Sequence, residues 1–231
     1  MPIDLAKLQS LVNEVHARHK DEAGGQNASY IPYLAHVPST LSALAVMTPD
    51  GSLFSAGDSH YRFAIESISK VPTLALALED VGADAVQAKI GADPTGMAFN
   101  SVMALELHEG KPLSPLVNAG AMSSVSILKA NDVEGRWQRI LQMQRALLGP
   151  DVELSEEVNQ SEQTTNFHNR AIAWLMYADD TMYADPMEVC DVYTRQCSTL
   201  ITTTDLATMA ATLAARGRNP ITGQQVLSGD H

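Results

Sequence analysis

Cysteine is nearly missing from this 231-residue chain, which holds only Cys190 and Cys197. The two lie in a segment with helical spacing, where about 1.5 Å of rise per residue puts them roughly 10 Å apart along the axis, too far for a disulfide. A reduced, cytoplasmic protein is the expectation. Basic residues are also scarce: 15 Lys plus Arg stand against 27 Asp plus Glu, a formal net charge of -12, and no segment gathers Lys or Arg into a stripe. Nucleic acid is thereby excluded as a partner. No stretch reaches the roughly 20 apolar residues of a membrane span, and Leu5, Leu8, Leu11, Val12 and Val15 are spaced as an amphipathic helix rather than a signal-peptide core. No membrane partner is expected. The seven histidines are scattered, and the close pair His16 and His19 lacks a third ligand, so no metal site is expected. The glycine turns lack both the G-x-G-x-x-G and the Walker patterns, which leaves no nucleotide and no cofactor to look for. What the chain does have is apolar material, 45% of its residues, enough to bury a sizeable core.

Periodicity divides the sequence in two. A helix is predicted from residue 3 to about 19, followed by a polar loop over 21–29. Strand patterns at 41–47 and 52–56 flank Pro49-Asp50-Gly51, a hairpin turn in which Pro presets one dihedral and Gly supplies the positive one. From residue 67 the period becomes helical, over 71–81, 85–90, 101–107, 121–128, 134–148, 169–177, 186–197 and 204–216. There is no internal repeat. The organisation expected for 1–231 is one domain, a strand hairpin within 30–66 and a mainly helical region over 67–216. An isolated hairpin is marginal in water, so either a partner supplies further strands or the chain is incomplete.

The sharpest local feature is Ser67-Ile68-Ser69-Lys70, at the border of these regions. On a helix, residues three apart share a face, which brings the Lys70 amine to the Ser67 hydroxyl. A serine is a weak nucleophile until a base lies within hydrogen-bond reach, and a partly desolvated lysine is such a base. Taken alone, the string also reads as an N-cap serine beside a solvated lysine. Pro72 places the start of regular helix nearer Ser69 than Ser67, since its missing N–H is harmless only in the first turn.

Further blocks accompany that string in order: Tyr30-Ile31-Pro32, Asp93-Pro94-Thr95-Gly96 with Phe99-Asn100-Ser101, Val117-Asn118-Ala119-Gly120-Ala121, Ser161-Glu162 followed by Asn169, and Asp191-Val192-Tyr193 with Cys197-Ser198. Together they resemble the bacterial and mitochondrial serine-dependent glutaminases. The resemblance implies an α+β fold of the β-lactamase/transpeptidase type, an antiparallel sheet packed with helices plus an all-helical subdomain. It implies a hydrolase that converts L-glutamine to glutamate and ammonia through an acyl-enzyme on Ser67. Lys70 is then the general base, the Ser67 backbone N–H one oxyanion donor, and Tyr193 a relay for the proton that leaves with ammonia. Tyr30, Asn118, Glu162, Asn169 and Tyr193 are implied to bind substrate. That set suits a zwitterion: an α-ammonium wants a carboxylate, and an α-carboxylate wants neutral donors. Family members assemble as homo-dimers or homo-tetramers, and the same is expected of this chain.

Without the resemblance, Asn118 reads as a turn residue, Glu162 as a solvated loop acid and Tyr193 as a packed core tyrosine. Trp137, Trp174, Cys190 and Cys197 are expected in the core, and His16 and His19 on the exposed face of a helix. Glu66 stands where many family members carry Gln. Family members also continue past the segment matching 220–228 with a pocket tyrosine and further sheet strands that this chain lacks, so the expectation is a C-terminally incomplete and inactive domain. The rival functions are a β-lactam-processing serine acyl-enzyme and a non-catalytic oligomer module.

Overall fold

The computed structural model describes residues 4–229. The first helix, α1 (Leu5–His19), is capped by Asp4, which accepts from Lys7 N at 3.2 Å, so the expected start at residue 3 lies outside the described residues. A short helix, α2 (Pro32–Ala35), follows, where the sequence reading assigns no element. Strands β1 (Ala43–Met47) and β2 (Leu53–Gly57) form the expected antiparallel hairpin, with Ala43 opposite Gly57 and Met47 opposite Leu53. Its turn works as the sequence predicts. Gly51 takes a φ of 88° that a side chain would resist, and its N–H donates to Thr48 O at 2.9 Å.

Beyond the hairpin come β3 (Phe63–Ala64), a 3₁₀ turn (Glu66–Ser69), and the helices α3 (Lys70–Val81), α4 (Ala83–Lys89), α5 (Val102–Glu106), α6 (Asn118–Ser126) and α7 (Val133–Leu147). Then follow β4 (Glu153–Leu154), α8 (Glu156–Gln163), α9 (Phe167–Ala178), α10 (Pro186–Cys197), β5 (Thr199–Ile201) and α11 (Thr203–Ala214). The class is α+β. The hairpin is covered by α1 on β2 and by α11 on β1, a layer closed by elements from opposite ends of the described chain. Most helices start at a side chain that caps them, as Asp132, Ser155, Asp185 and Thr202 do, each such cap contributing about 1 kcal/mol.

Four findings differ from the sequence reading. A second sheet, β3-β5-β4, is antiparallel throughout, and its strands of two or three residues are too short to show an alternation. It matters because Ile65 N donates to Thr199 O at 2.9 Å, pinning the chain just before the 3₁₀ turn. Secondly, the polar run around Glu162 is the helix α8, not a loop. Only Val158 and Glu162 are buried on it, too thin an apolar stripe to betray a helix. Thirdly, Trp174 is 51% exposed, meeting Tyr177 edge-on at 5.8 Å, whereas Trp137 is in the core as expected. His19 is exposed, but His16 is half-buried, its Nε2 lying 3.0 Å from Ser42 O.

The core lies between α3, α6, α7, α9 and α10 and includes Ala77, Met122, Val125, Ile140, Ile172, Met176 and Val189. Truncating one such isoleucine to alanine costs about 2–5 kcal/mol. Helix α10 is the hub, packing on α6, α7, α8, α9 and the 3₁₀ turn, and it carries both cysteines as free, buried thiols.

Candidate active site

The serine turn is built by a local break in regular backbone. Glu66 adopts a φ of 50°, in the left-handed region, a conformation that costs a non-glycine residue about 1 kcal/mol or more. The chain then makes the 3₁₀ turn over Glu66–Ser69, and α3 begins at Lys70. Regular helix therefore starts after Ser69, as Pro72 predicts, and Pro72 falls in the first turn, where no intrahelical partner is lost. Ser67 is exposed. Lys70 is 4% exposed, and its Nζ lies 2.8 Å from Ser67 Oγ, donating as an ammonium or accepting the serine proton as an amine. Burial holds the amine below the usual lysine range, opposed by the nearby charges of Cys197, Glu162 and Glu66. A solvated lysine beside an N-cap serine is not what forms.

A cavity of about 320 Å³ is lined among others by Tyr30, Phe99, Asn100, Asn118, Glu162 and Asn169. Asn118 is the first residue of α6, its N–H donating to Phe99 O at 2.8 Å. Gly120 is what lets α6 come so close to the preceding loop, because a Cβ there would sit 1.8 Å from Ser114 O. From below, Tyr193 Oη donates to Asn118 Oδ1 at 3.1 Å, and Asn118 Nδ2 donates to Asn169 Oδ1 at 2.9 Å. The three residues thus form one oriented chain. Tyr193 is fully buried, which pushes its phenol well above the usual range, so it holds its proton. Tyr30 is 67% exposed at the rim.

Glu162 is the electrostatic centre. It is 7% exposed, and its Oε2 has no hydrogen-bond partner. Burial pushes its carboxyl up to about 8, the charge of Glu66 adds to this, and Lys70 opposes it. Glu66 behaves alike: burial lifts it to about 7 against the pull of Lys70, and its Oε1 is also buried without a partner. Leaving a buried carboxylate oxygen unpaired costs free energy, so Glu162, which lines the cavity, favours a cation in it.

The structure brings Tyr30, Asn118, Glu162 and Asn169 around the cavity, with Tyr193 beneath Asn118. Ser67, Lys70 and Tyr193 are not among the residues that line it; Lys70 Nζ lies 5.9 Å from the Tyr193 ring centroid, and Tyr193 joins the cavity wall through Asn118. Sequence reasoning assigned no role to Glu66, Phe99, Asn100, Asn166 or His168. Glu66 had a signal in its place next to the serine. The 99–101 segment had one too, standing in a matched block, and it is fastened to α9 by His168 Nε2, 2.7 Å from Asn100 O. The arrangement can bind a small zwitterion and present one of its polar bonds to an activated hydroxyl.

The sequence model of the glutaminase family matches residues 25–231. Over 231 residues the chain is 68% identical to the glutaminase of Bordetella avium (strain 197N), covering all of this chain and 74% of that one. It is 64% identical over 229 residues to glutaminase 1 of Escherichia coli (strain K12), covering 99% and 74%. Among solved structures, the probable glutaminase ybaS superposes with a TM-score of 0.98 at 64% identity, over 99% of this chain and 74% of that one. A probable glutaminase from Bacillus subtilis complexed with 6-diazo-5-oxo-L-norleucine superposes with a TM-score of 0.84 at 30% identity, over 96% and 68%.

Proposed function

The chain belongs to the glutaminase family, and from that premise we propose that Ser67 is its nucleophile, with Lys70 as general base. The enzyme is an amidohydrolase acting on L-glutamine, with the β-lactamase-like α+β fold, and membership of this family sets aside the β-lactam and non-catalytic readings. In the first half-reaction neutral Lys70 takes the Ser67 proton while Oγ attacks the side-chain amide carbon of glutamine. The Ser67 backbone N–H serves as one donor to the developing oxyanion. Protonated Lys70 returns the proton to the amide nitrogen, with Tyr193 as relay, and ammonia leaves a γ-glutamyl ester on Ser67. In the second, water attacks that ester with Lys70 again as base, and glutamate departs. Glu162 holds the α-ammonium throughout, while Tyr30, Asn118, Asn169 and Tyr193 hold the polar remainder.

One observation carries this reading: the buried Lys70 amine 2.8 Å from an exposed serine hydroxyl. It is tested with 6-diazo-5-oxo-L-norleucine, a glutamine-like electrophile. Mass spectrometry is expected to find the adduct on the peptide containing Ser67 and none in Ser67→Ala, which should also lose ammonia release by about 10⁴-fold or more. An adduct on any other side chain sinks the assignment.

A homo-dimer or homo-tetramer is supported by an exposed apolar face, formed by Phe99, Met103 and Leu107 beside Phe167, Trp174 and Tyr177 of α9. Trp174→Glu is expected to shift the sedimentation coefficient to that of a monomer, and an unchanged assembly argues against this face. The two free thiols favour the cytoplasm as the location.

A further inference from the structure

The cavity wall holds one more buried group to which the proposed chemistry gives no task. Asn166 stands between α8 and α9, four residues after Glu162; it lines the cavity and is 5% exposed. Its Nδ2 donates to Thr194 Oγ1 at 3.0 Å and to Gln163 Oε1 at 3.2 Å, with Cys190 Sγ farther off at 3.9 Å. Its Oδ1 is buried and has no partner among the described residues.

Proton counting fixes which way this amide faces. Thr194 Oγ1 gives its single proton to Cys190 O at 3.0 Å, so toward Asn166 it can only accept. Gln163 is held in the same sense. Its Nε2 donates at 2.8 Å to Oδ1 of Asp191, a carboxylate whose other oxygen is paired with Arg195 at 2.8 Å, and this leaves Gln163 Oε1 to face Asn166. Turning the Asn166 amide over would set oxygen against oxygen at both contacts. Neither Gln163 nor Thr194 lines the cavity, so the carbonyl oxygen is the amide atom that Asn166 has left for it. The same count on the facing residues gives the opposite sign. Asn118 Oδ1 is taken by Tyr193 and Asn169 Oδ1 by Asn118, so these two amides offer a ligand their free N–H groups. The cavity is thus polarised, with donors from Asn118 and Asn169 and acceptors from Glu162 and Asn166.

We propose that Asn166 determines specificity at the glutamine site: its Oδ1 is a second acceptor for the substrate α-ammonium, beside the Glu162 carboxylate. The inference rests on the reading of Glu162 as the partner of that ammonium. A carboxylate balances the charge, but a primary ammonium carries three N–H groups, and each one buried without an acceptor costs free energy. Two buried acceptors that lack donors therefore select a ligand with an ammonium over one without it.

L-Glutamate and glutarate differ only in that ammonium, and competition by each against L-glutamine in the ammonia-release assay reads its worth. Asn166→Leu nearly keeps the volume and removes the acceptor. The expected result is a rise of about tenfold in the Ki of L-glutamate and in the KM of L-glutamine, the size of one hydrogen bond to a charged group, with the Ki of glutarate and kcat within about twofold of wild type. An unchanged Ki for L-glutamate overturns the proposal. A structural role weakens glutarate in step with L-glutamate and lowers kcat, and that pattern overturns it too. Should Asn166→Leu fold poorly, Asn166→Ala leaves room for water to bond Thr194 and Gln163, and the same shifts are expected of it. The wild type keeps the two readings apart. If it binds L-glutamate no better than glutarate, the ammonium reading of Glu162 fails and this inference with it; if it prefers L-glutamate and Asn166→Leu prefers it equally, only the Asn166 role fails.

Discussion

Two polar regions flank the Ser67–Lys70 pair, and they differ in how completely their atoms are partnered. Beneath it, between α3 and α10, the side chains of Ser69, Thr73 and Gln196 are bonded to one another, and Gln144 Nε2 reaches Gln196 O at 3.0 Å. Beside it, the carboxyls of Glu66 in the 3₁₀ turn and Glu162 on α8 keep buried oxygens without partners. Both regions are polar, but in the first the side chains of Ser69, Thr73 and Gln196 are partnered by one another, with only the neutral Gln144 Oε1 left over, whereas the second leaves two carboxylate oxygens without partners. A satisfied network holds geometry, whereas an unsatisfied acid is a standing cost that a cationic ligand relieves. The floor is there for shape and the cavity wall for binding.

Glu162→Gln breaks that contrast most severely. Removing the carboxylate takes away the partner of the substrate ammonium, so kcat/KM should fall about 100-fold or more, in the range found when one member of a buried charge pair is lost. The same change removes a buried, unpaired charge, so at pH 8 the substrate-free protein should melt higher, not lower. Ammonia release and calorimetry on one preparation check both. Loss of activity together with a lower Tm would mean that Glu162 is a structural acid.

The pH dependence of stability sharpens the same point with a smaller effect. Glu66 and Glu162 titrate near 7 and 8 when folded, against about 4.5 when unfolded. Below pH about 4.5 both states are protonated and the stability is fully present. As pH rises the unfolded chain ionises first, so stability declines until the folded carboxyls have also ionised, above about pH 8. Each pKa unit is worth about 1.4 kcal/mol, so a clear decline in stability from pH 5 to pH 8 is the expectation. Glu66→Gln should flatten part of the slope, and added L-glutamate should restore stability at pH 8. A Tm that rises steadily from pH 5 to 8 would contradict these ionisations.

How much of this was legible in the sequence depends on the range of the signal. The hairpin and the long helices show because their period repeats within one segment, and residues 186–197 match α10 at both ends. Sheet β3-β5-β4 does not show, because its strands carry two or three residues each and pair across long separations. Of the site, the Ser67–Lys70 contact follows from spacing alone, since helical or 3₁₀ geometry places residues three apart side by side. Burial of Glu162 does not follow, because it depends on α8 packing against α10. The role of Glu66 is equally hidden, for it arises from a positive φ that no propensity of glutamate predicts.

Thr73→Val produces the smallest effect and tests the other half of the comparison. Thr73 is one turn beyond Lys70 on α3, fully buried, and its hydroxyl gives its proton to Gln196 Oε1 at 2.8 Å. Valine has nearly the same shape, so no cavity forms, but Gln196 Oε1 loses its donor in a place water does not reach. The cost is that of one stranded acceptor, about 1–3 kcal/mol of unfolding free energy, read from urea denaturation with an unchanged m-value. Gln196 still donates to Ser69 through its other amide atom, so kcat/KM should stay within about twofold while stability falls. If activity fell as far as in Glu162→Gln, the floor would be taking part in binding, and the division between a region that holds shape and one that holds substrate would have to be given up.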